Sequence, residues 1–281
     1  MNSQVRILGA NIDQVRMDEA MKTIHEFVAS QQPHQVVTVN LDFLRIAQEN
    51  PEFQGVINRS DLAVADGMPL VWASQWLGTA LPERVTGVEL VDECCALAAR
   101  EGYSVFLLGG AEGVPEAAAA KMVERHPGLR IAGTYSPPMG PFSAEEDGKI
   151  VDMIRAAKPQ MLFVAFGAPK QDIWIAQHRN TLGVPVAIGV GGVFNFLTGR
   201  VRRAPEWMQR SGLEWLYRVS QEPRRLWRRY FVQDMPIMMQ MAAEAMQVRT
   251  LGPAQQAPHG LNLPVAVEVA PARVLPRNLP N

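Results

Sequence analysis

Short apolar runs alternate along this chain with stretches whose apolar residues recur every three or four positions, so strand and helix signals take turns. Residues 5–8 read as a strand, and 17–30 as a helix carrying Ala20, Met21, Ile24, Phe27 and Val28 along one side. The run 36–40 is a strand with a polar end, followed by helical segments 41–49 and 51–58 and by the strand Asp61-Leu62-Ala63-Val64-Ala65. Beyond it, 68–77 is helical, 81–87 a loop and 88–100 a helix. The alternation then becomes cleaner: strand 103–110, helix 114–125, strand 129–134, a proline-rich loop 136–141, helix 143–157, strand 161–166, a helix to about 178 and strand 184–190. This order predicts an α/β fold over residues 1–200, a mostly parallel, Rossmann-like sheet covered by helices.

After Arg203 the pattern changes to helical segments in which Trp207, Trp215, Tyr217, Trp227 and Tyr230 are interleaved with arginine, and 236–248 is a methionine-rich helix. The sequence therefore divides into the α/β core, a helical and arginine-rich C-terminal appendage over 201–248, and a flexible, proline-rich tail over 249–281. Between residues 199 and 230 nine arginines meet three glutamates, a local excess of +6 in a chain whose formal net charge is -1. Such asymmetry points to a phosphate-bearing or anionic-surface partner and away from nucleic acid. A solvated helical face is the ordinary reading of a charge run; forked pairing with a diphosphate or docking on anionic lipid is the other, and local residues leave both open.

Composition adds exclusions. With 47% hydrophobic and 20% charged residues among 281, the chain is neither fibrous nor wholly disordered. Cys94 and Cys95 are adjacent, which suits neither a disulfide framework nor a metal or redox pair, so both are expected as reduced thiols at or near the core. The first residues lack the basic start and apolar core of a signal peptide, and the longest uncharged run, 183–199, is broken by Pro185 and glycines, so a cytoplasmic protein is expected.

Candidate chemistry gathers just after predicted strands: Thr38 and Asn40, Asp66 and Gly67, Gly109 and Gly110, Gly167 to Gln171, and Gly191 and Gly192. Parallel strands would bring all of these to one sheet edge, where open α/β folds bind ligands. Asp66 has two readings that are not exclusive, a cap for the helix beginning near Met68-Pro69 or an acid presented to a ligand. No Walker A sequence, dinucleotide fingerprint, nucleophile elbow or Asp-x-Asp metal motif is present, and the histidines are scattered. No metal and no cofactor are therefore expected.

Thr38-x-Asn40, Ala65-Asp66-Gly67-Met68-Pro69, Glu83-Arg84-Val85-Thr86-Gly87, Phe166-Gly167-Ala168-Pro169-Lys170-Gln171, Gly189-Val190-Gly191-Gly192 and Arg203-Ala204-Pro205-Glu206-Trp207 resemble, in order, the WecG/TagA/CpsF glycosyltransferases. Gly212 to Arg218 and Glu222 to Arg225 extend the resemblance, which covers roughly residues 5–230. It implies an inverting transferase, peripheral to the inner face of the cell membrane, that moves a sugar from a UDP-sugar donor, N-acetylmannosamine above all, to a polyprenyl-diphosphate-linked sugar for a surface polysaccharide. It also implies Asp66 as general base, with Thr38, Asn40, Arg84 and Gln171 lining the pocket. To these the strand-end glycines Gly109, Gly167 and Gly191 are added, and Arg202, Arg203, Arg210 and Arg218 as candidate diphosphate ligands. Asp172 stands where the family pattern usually has glutamate and is left out of the catalytic set. A nucleotide-sugar epimerase or dehydrogenase, a non-catalytic nucleotide-binding membrane adaptor, and assembly as a homo-oligomer stay open.

Overall fold

Parallel strands covered on both faces need apolar side chains at successive positions, and the central runs of this chain supply them. The computed structural model describes residues 3–138, 140, 142–205, 207–208, 214–221, 232 and 234–251. Within them β1 (Gln4–Ile7) and β2 (Ala10–Asp13) form an antiparallel hairpin, and six strands form an all-parallel sheet. The six are β3 (His34–Val39), β4 (Leu62–Ala65), β5 (Ser104–Gly109), β6 (Arg130–Tyr135), β7 (Met161–Ala165) and β8 (Val186–Gly189), in the order β4-β3-β8-β7-β5-β6.

The helices are α1 (Met17–Ser30), α2 (Leu41–Glu49), α3 (Pro51–Arg59), α4 (Met68–Trp76), α5 (Gly87–Glu101), α6 (Val114–Arg125), α7 (Ala144–Ala157), α8 (Lys170–Leu182), α9 (Val193–Leu197), α10 (Glu214–Gln221) and α11 (Met235–Leu251). Alternate residues of one strand enter different cores, as the period of two requires. Val105 and Leu107 pack in a core with Leu90, Cys94 and Ala118, whereas Phe106 and Leu108 share one with Ile150, Ile154 and Ile175. On the other half of the sheet Val36 and Val64 join the first core, while Val37, Val39, Ala63 and Ala65 meet Leu44, Phe53 and Leu70. Both cysteines are buried free thiols; burial pushes Cys94 well above its ordinary range and Cys95 up to about 12.

Two features depart from the pattern reading. The hairpin's second strand was not expected, because a four-residue strand containing Asn11 and Asp13 gives almost no periodic signal. Asp13 is nevertheless buried: its Oδ2 accepts from Ala63 N at 2.8 Å and its Oδ1 from Gln4 Nε2 at 3.1 Å, so the hairpin supplies an acceptor at the edge strand β4. The other is α8, which continues past residue 178 to Leu182 and ends where Gly183 takes φ 67. Farther on, α11 places Ile237 and Met241 in the same core as Leu70. Residues 252–281, Arg210, and the arginines and aromatics of 222–231 lie outside the described residues.

Candidate active site

The strand order explains where a ligand would go. From β3 the chain steps outward to β4, then crosses to β5 and β6 and returns through β7 and β8, so β8 comes to lie beside β3. Carboxyl ends of strands at such a reversal open a crevice. Here the ends of β3, β4, β7 and β8 surround a cavity of about 740 Å³, whose lining includes Thr38, Asn40, Asp66, Arg84, Gly167, Gln171, Gly191 and Arg203. Four strand ends, together with the segments that carry Arg84 and Arg203, thus bring eight of the twelve residues singled out from sequence to one place.

Asp66 follows the last residue of β4, and its own N–H donates to Val39 O at 2.7 Å, which extends the β3–β4 pairing by one step. Val85 N donates to Ala65 O at 2.8 Å and so folds the next loop back over the strand end. That bond sets the start of α5 above Asp66, where Thr86 Oγ1 caps the helix by accepting from Glu89 N at 3.3 Å. The aspartate does not cap α4: Gly67, at φ 141, stands at the cap position, and no side-chain bond closes that helix start. The carboxylate instead receives the Gly87 N–H of α5. Burial pushes Asp66 up to about 6, the Gly87 N–H opposes this, Glu214 raises it further, Arg84 lowers it and Glu89 raises it. The competition is won by desolvation, which leaves a carboxylate mostly ionised at neutral pH yet far more basic than an exposed one.

The floor beneath is built around α8. Gln171, 2% exposed, accepts with Oε1 from Gly167 N at 3.1 Å and Gly191 N at 2.9 Å, tying the loop after β7 to the loop after β8. Its oxygen is therefore used in holding the cavity's shape. Thr38 likewise donates to Gly189 O at 3.3 Å, and Asn40 Oδ1 caps α2 through Phe43 N at 3.1 Å. Asp172 is fully buried behind Gln171, and burial pushes it up to about 7 against the neighbouring Gln171 amide and its own backbone N–H. Neither of its oxygens has a hydrogen bond of good geometry, so the neutral acid is the form that desolvation favours. Room for this pair exists because residue 189 is glycine: a Cβ there would lie 2.3 Å from Asp172 Oδ1 and 2.6 Å from Gln171 Nε2.

The rim is ionic. Arg84 Nη1 lies 3.5 Å from Glu214 Oε2 and Nη2 lies 3.7 Å from Glu89 Oε1; Arg203 Nη2 lies 3.3 Å from Glu89 Oε1 and Nε lies 3.9 Å from Glu214 Oε1. Of the other residues expected at the site, Gly109 and Arg202 do not line the cavity. Gly109 serves packing: at φ 97 it passes so close to β7 that a Cβ would lie 2.7 Å from Ala165 O. Arg210 is outside the described residues, and of Arg218 only the helical backbone is described. Sequence reading missed Gly87, Glu89 and Glu214. Glu89 had a signal in Thr86-x-x-Glu89, the spacing of a capping box; Gly87 and Glu214 lie within 83–87 and 212–218, stretches that carry the family resemblance, but have no periodic signal of their own.

Among the described residues no group of three or more His, Cys, Asp or Glu is placed to hold a metal ion, and no helix is long and apolar enough to cross a membrane.

The family model described as "Glycosyl transferase WecG/TagA/CpsF family" matches residues 5–250. The chain belongs to that family and is a glycosyltransferase. Among curated proteins it is similar to the N-acetylglucosaminyldiphosphoundecaprenol N-acetyl-beta-D-mannosaminyltransferases of Staphylococcus aureus strains MW2 and NCTC 8325 / PS 47. Each is 33% identical over 245 residues, covering 86% of this chain and 93% of the relative. The matched region takes in both the sheet that carries Asp66 and the helices α10 and α11 of the transferase.

Proposed function

We propose that the transferase moves N-acetylmannosamine from a UDP-linked donor to an N-acetylglucosaminyl-diphosphate-polyprenol, in one displacement with inversion, Asp66 acting as general base. The observation that carries this reading is the Asp66 carboxylate, held near pKa 6 in a cavity whose rim holds Arg84 and Arg203. A sugar hydroxyl is a poor nucleophile at neutral pH. A carboxylate of that basicity accepts its proton as the oxygen bonds to the donor's anomeric carbon, a contribution of ~10²–10⁴-fold. The bond from that carbon to the diphosphate breaks in the same step. The leaving UDP gains charge that guanidinium groups at the rim are suited to stabilise.

The relatives' name supports the acceptor and the sugar, and it specifies a beta product. A single displacement on an α-linked nucleotide donor gives that anomer. The lipid of such an acceptor would bring the protein to an anionic membrane face from the cytoplasmic side. Exposed Trp207, Leu216, Val232, Met235 and Met239 are chemically suited to that surface. The test incubates the full chain with UDP-N-acetylmannosamine and a polyprenyl-diphosphate-N-acetylglucosamine, reading product by mass and anomer by NMR. Transfer to a beta-linked disaccharide is expected. Binding of UDP without transfer from this or any other UDP-sugar would replace the proposal with a nucleotide-binding adaptor.

A further inference from the structure

The four charged residues at the rim are not equivalent. Arg84 and Arg203 line the cavity and so does Glu214, whereas Glu89 does not. Glu89 touches both guanidinium groups with the single atom Oε1, from α5 behind them. Glu214 uses its two oxygens separately, Oε2 toward Arg84 at 3.5 Å and Oε1 toward Arg203 at 3.9 Å. A carboxylate spread across two guanidinium groups is the arrangement a phosphate adopts in a forked clamp. Both contacts are longer than a charge-assisted hydrogen bond of about 2.7–2.9 Å, and Arg203 Nε is buried without a hydrogen bond. The clamp is formed, but its cavity-side occupant fits it loosely.

Charge makes the same point. Among the described residues of this rim cluster, two arginines are balanced by two glutamates, so the cluster itself presents no net positive charge to an entering diphosphate. If Glu214 withdraws, one positive charge and the unsatisfied Nε donor become available together. Glu214 belongs to α10, whereas Arg84 and Glu89 belong to the segment that begins α5, so the two partners of Arg84 sit on different elements.

We infer that Glu214 is the internal occupant of the diphosphate subsite, holding Arg84 and Arg203 apart and aligned in the empty transferase and yielding its place to the ligand's phosphates. This rests on the proposed reaction, and the diphosphate can come from the nucleotide donor or from the lipid-linked acceptor. Glu214 thus competes with substrate, while Glu89 stays to orient the arginines.

The test is calorimetric titration of the full chain at low ionic strength with UDP and, separately, with farnesyl diphosphate, for wild type, Glu214→Gln and Glu89→Gln. Glu214→Gln should bind one of the two diphosphates about two- to fivefold more tightly, the gain expected from removing one competing partial ion pair. A gain for UDP assigns the subsite to the donor, and a gain for farnesyl diphosphate alone assigns it to the acceptor. Glu89→Gln should bind no more tightly than wild type. Equal or weaker binding of both ligands by Glu214→Gln, with wild type binding UDP, overturns the inference and leaves the reaction standing. Failure of folded wild type to bind UDP removes both. Should Glu214→Gln melt early, Glu214→Asp, which keeps the charge but cannot span both arginines, should show a smaller gain in the same direction; no gain there overturns the inference equally.

Discussion

The backbone N–H of Gly87 is directed at the carboxylate of Asp66, so the first turn of α5 and the end of β4 meet at one oxygen-bearing group. A helix start ordinarily makes a carboxylate more acidic. Here the surrounding protein outweighs it, and Asp66 stands at about 6. The position is fixed by the helix while the basicity is set by burial.

Asp66→Asn should lower transfer by at least ~10²-fold while UDP affinity stays within a few-fold of wild type, since the amide still accepts from Gly87 but takes no proton. A radiolabelled-donor transfer assay beside calorimetry checks this. Turnover at the wild-type rate would remove Asp66 from the reaction.

The same substitution should stabilise the protein at neutral pH. A carboxyl whose folded pKa is raised, here from 3.8 to about 6, contributes stability that is fully present below about 4 and is lost as pH rises through about 6. Above that range the folded chain carries the unfavourable ionised form, worth at most about 3 kcal/mol for two pKa units. Asp66→Asn should therefore melt higher than wild type at pH 7.5, and that advantage should disappear at pH 4.

The proposed base role requires an ionised Asp66, so kcat/KM for the donor should fall about tenfold per pH unit below about 6. Glu214 raises the Asp66 proton affinity, so Glu214→Gln should move the acid limb to lower pH. A stopped assay across pH 4.5–8 reads the acid limb of both proteins; a limb that does not move would mean that Glu214 is electrostatically silent at Asp66.

Gly189→Ala would drive a methyl group into Asp172 and Gln171, at 2.3 and 2.6 Å from their polar atoms. About 1–3 kcal/mol of destabilisation is expected from overpacking of this kind, with loss of transfer because Gln171 can no longer tie the two loops. Thermal melting and activity should fall together.

Gln171→Leu keeps bulk but strands the part-buried Gly167 and Gly191 N–H groups, at no more than about 1–3 kcal/mol for each donor left unpaired. The donor KM should rise more than kcat falls, since the loops shape the cavity without touching the transferred proton. Steady-state kinetics separates the two; a change confined to kcat would assign Gln171 to the chemical step.

The strand-end residues were legible because period and glycine placement report which side of a parallel sheet a residue reaches. Thr38, Asp66 and Gln171 could be grouped before any fold was known. What each does there was less legible: Gln171 and Thr38 spend hydrogen bonds on neighbouring backbone, which depends on segments meeting across 20 residues of sequence for Gln171 and Gly191 and 151 for Thr38 and Gly189. Gly109 looked like a ligand turn and proved to be a close-packing position against Ala165. The roles of Asp13 and Glu214 could not be read for the same reason, that a lone acid carries no period and acquires its role from a partner on a distant element.

The two buried cysteines have a practical use. With thiols held in the un-ionised form, neither should react readily with maleimide at neutral pH. Leu216, 47% exposed on α10, is thus a position where Leu216→Cys would add the reactive thiol to an otherwise quiet chain. One fluorophore attached there would report, in real time and in the native background, whether α10 stays or swings when a diphosphate arrives.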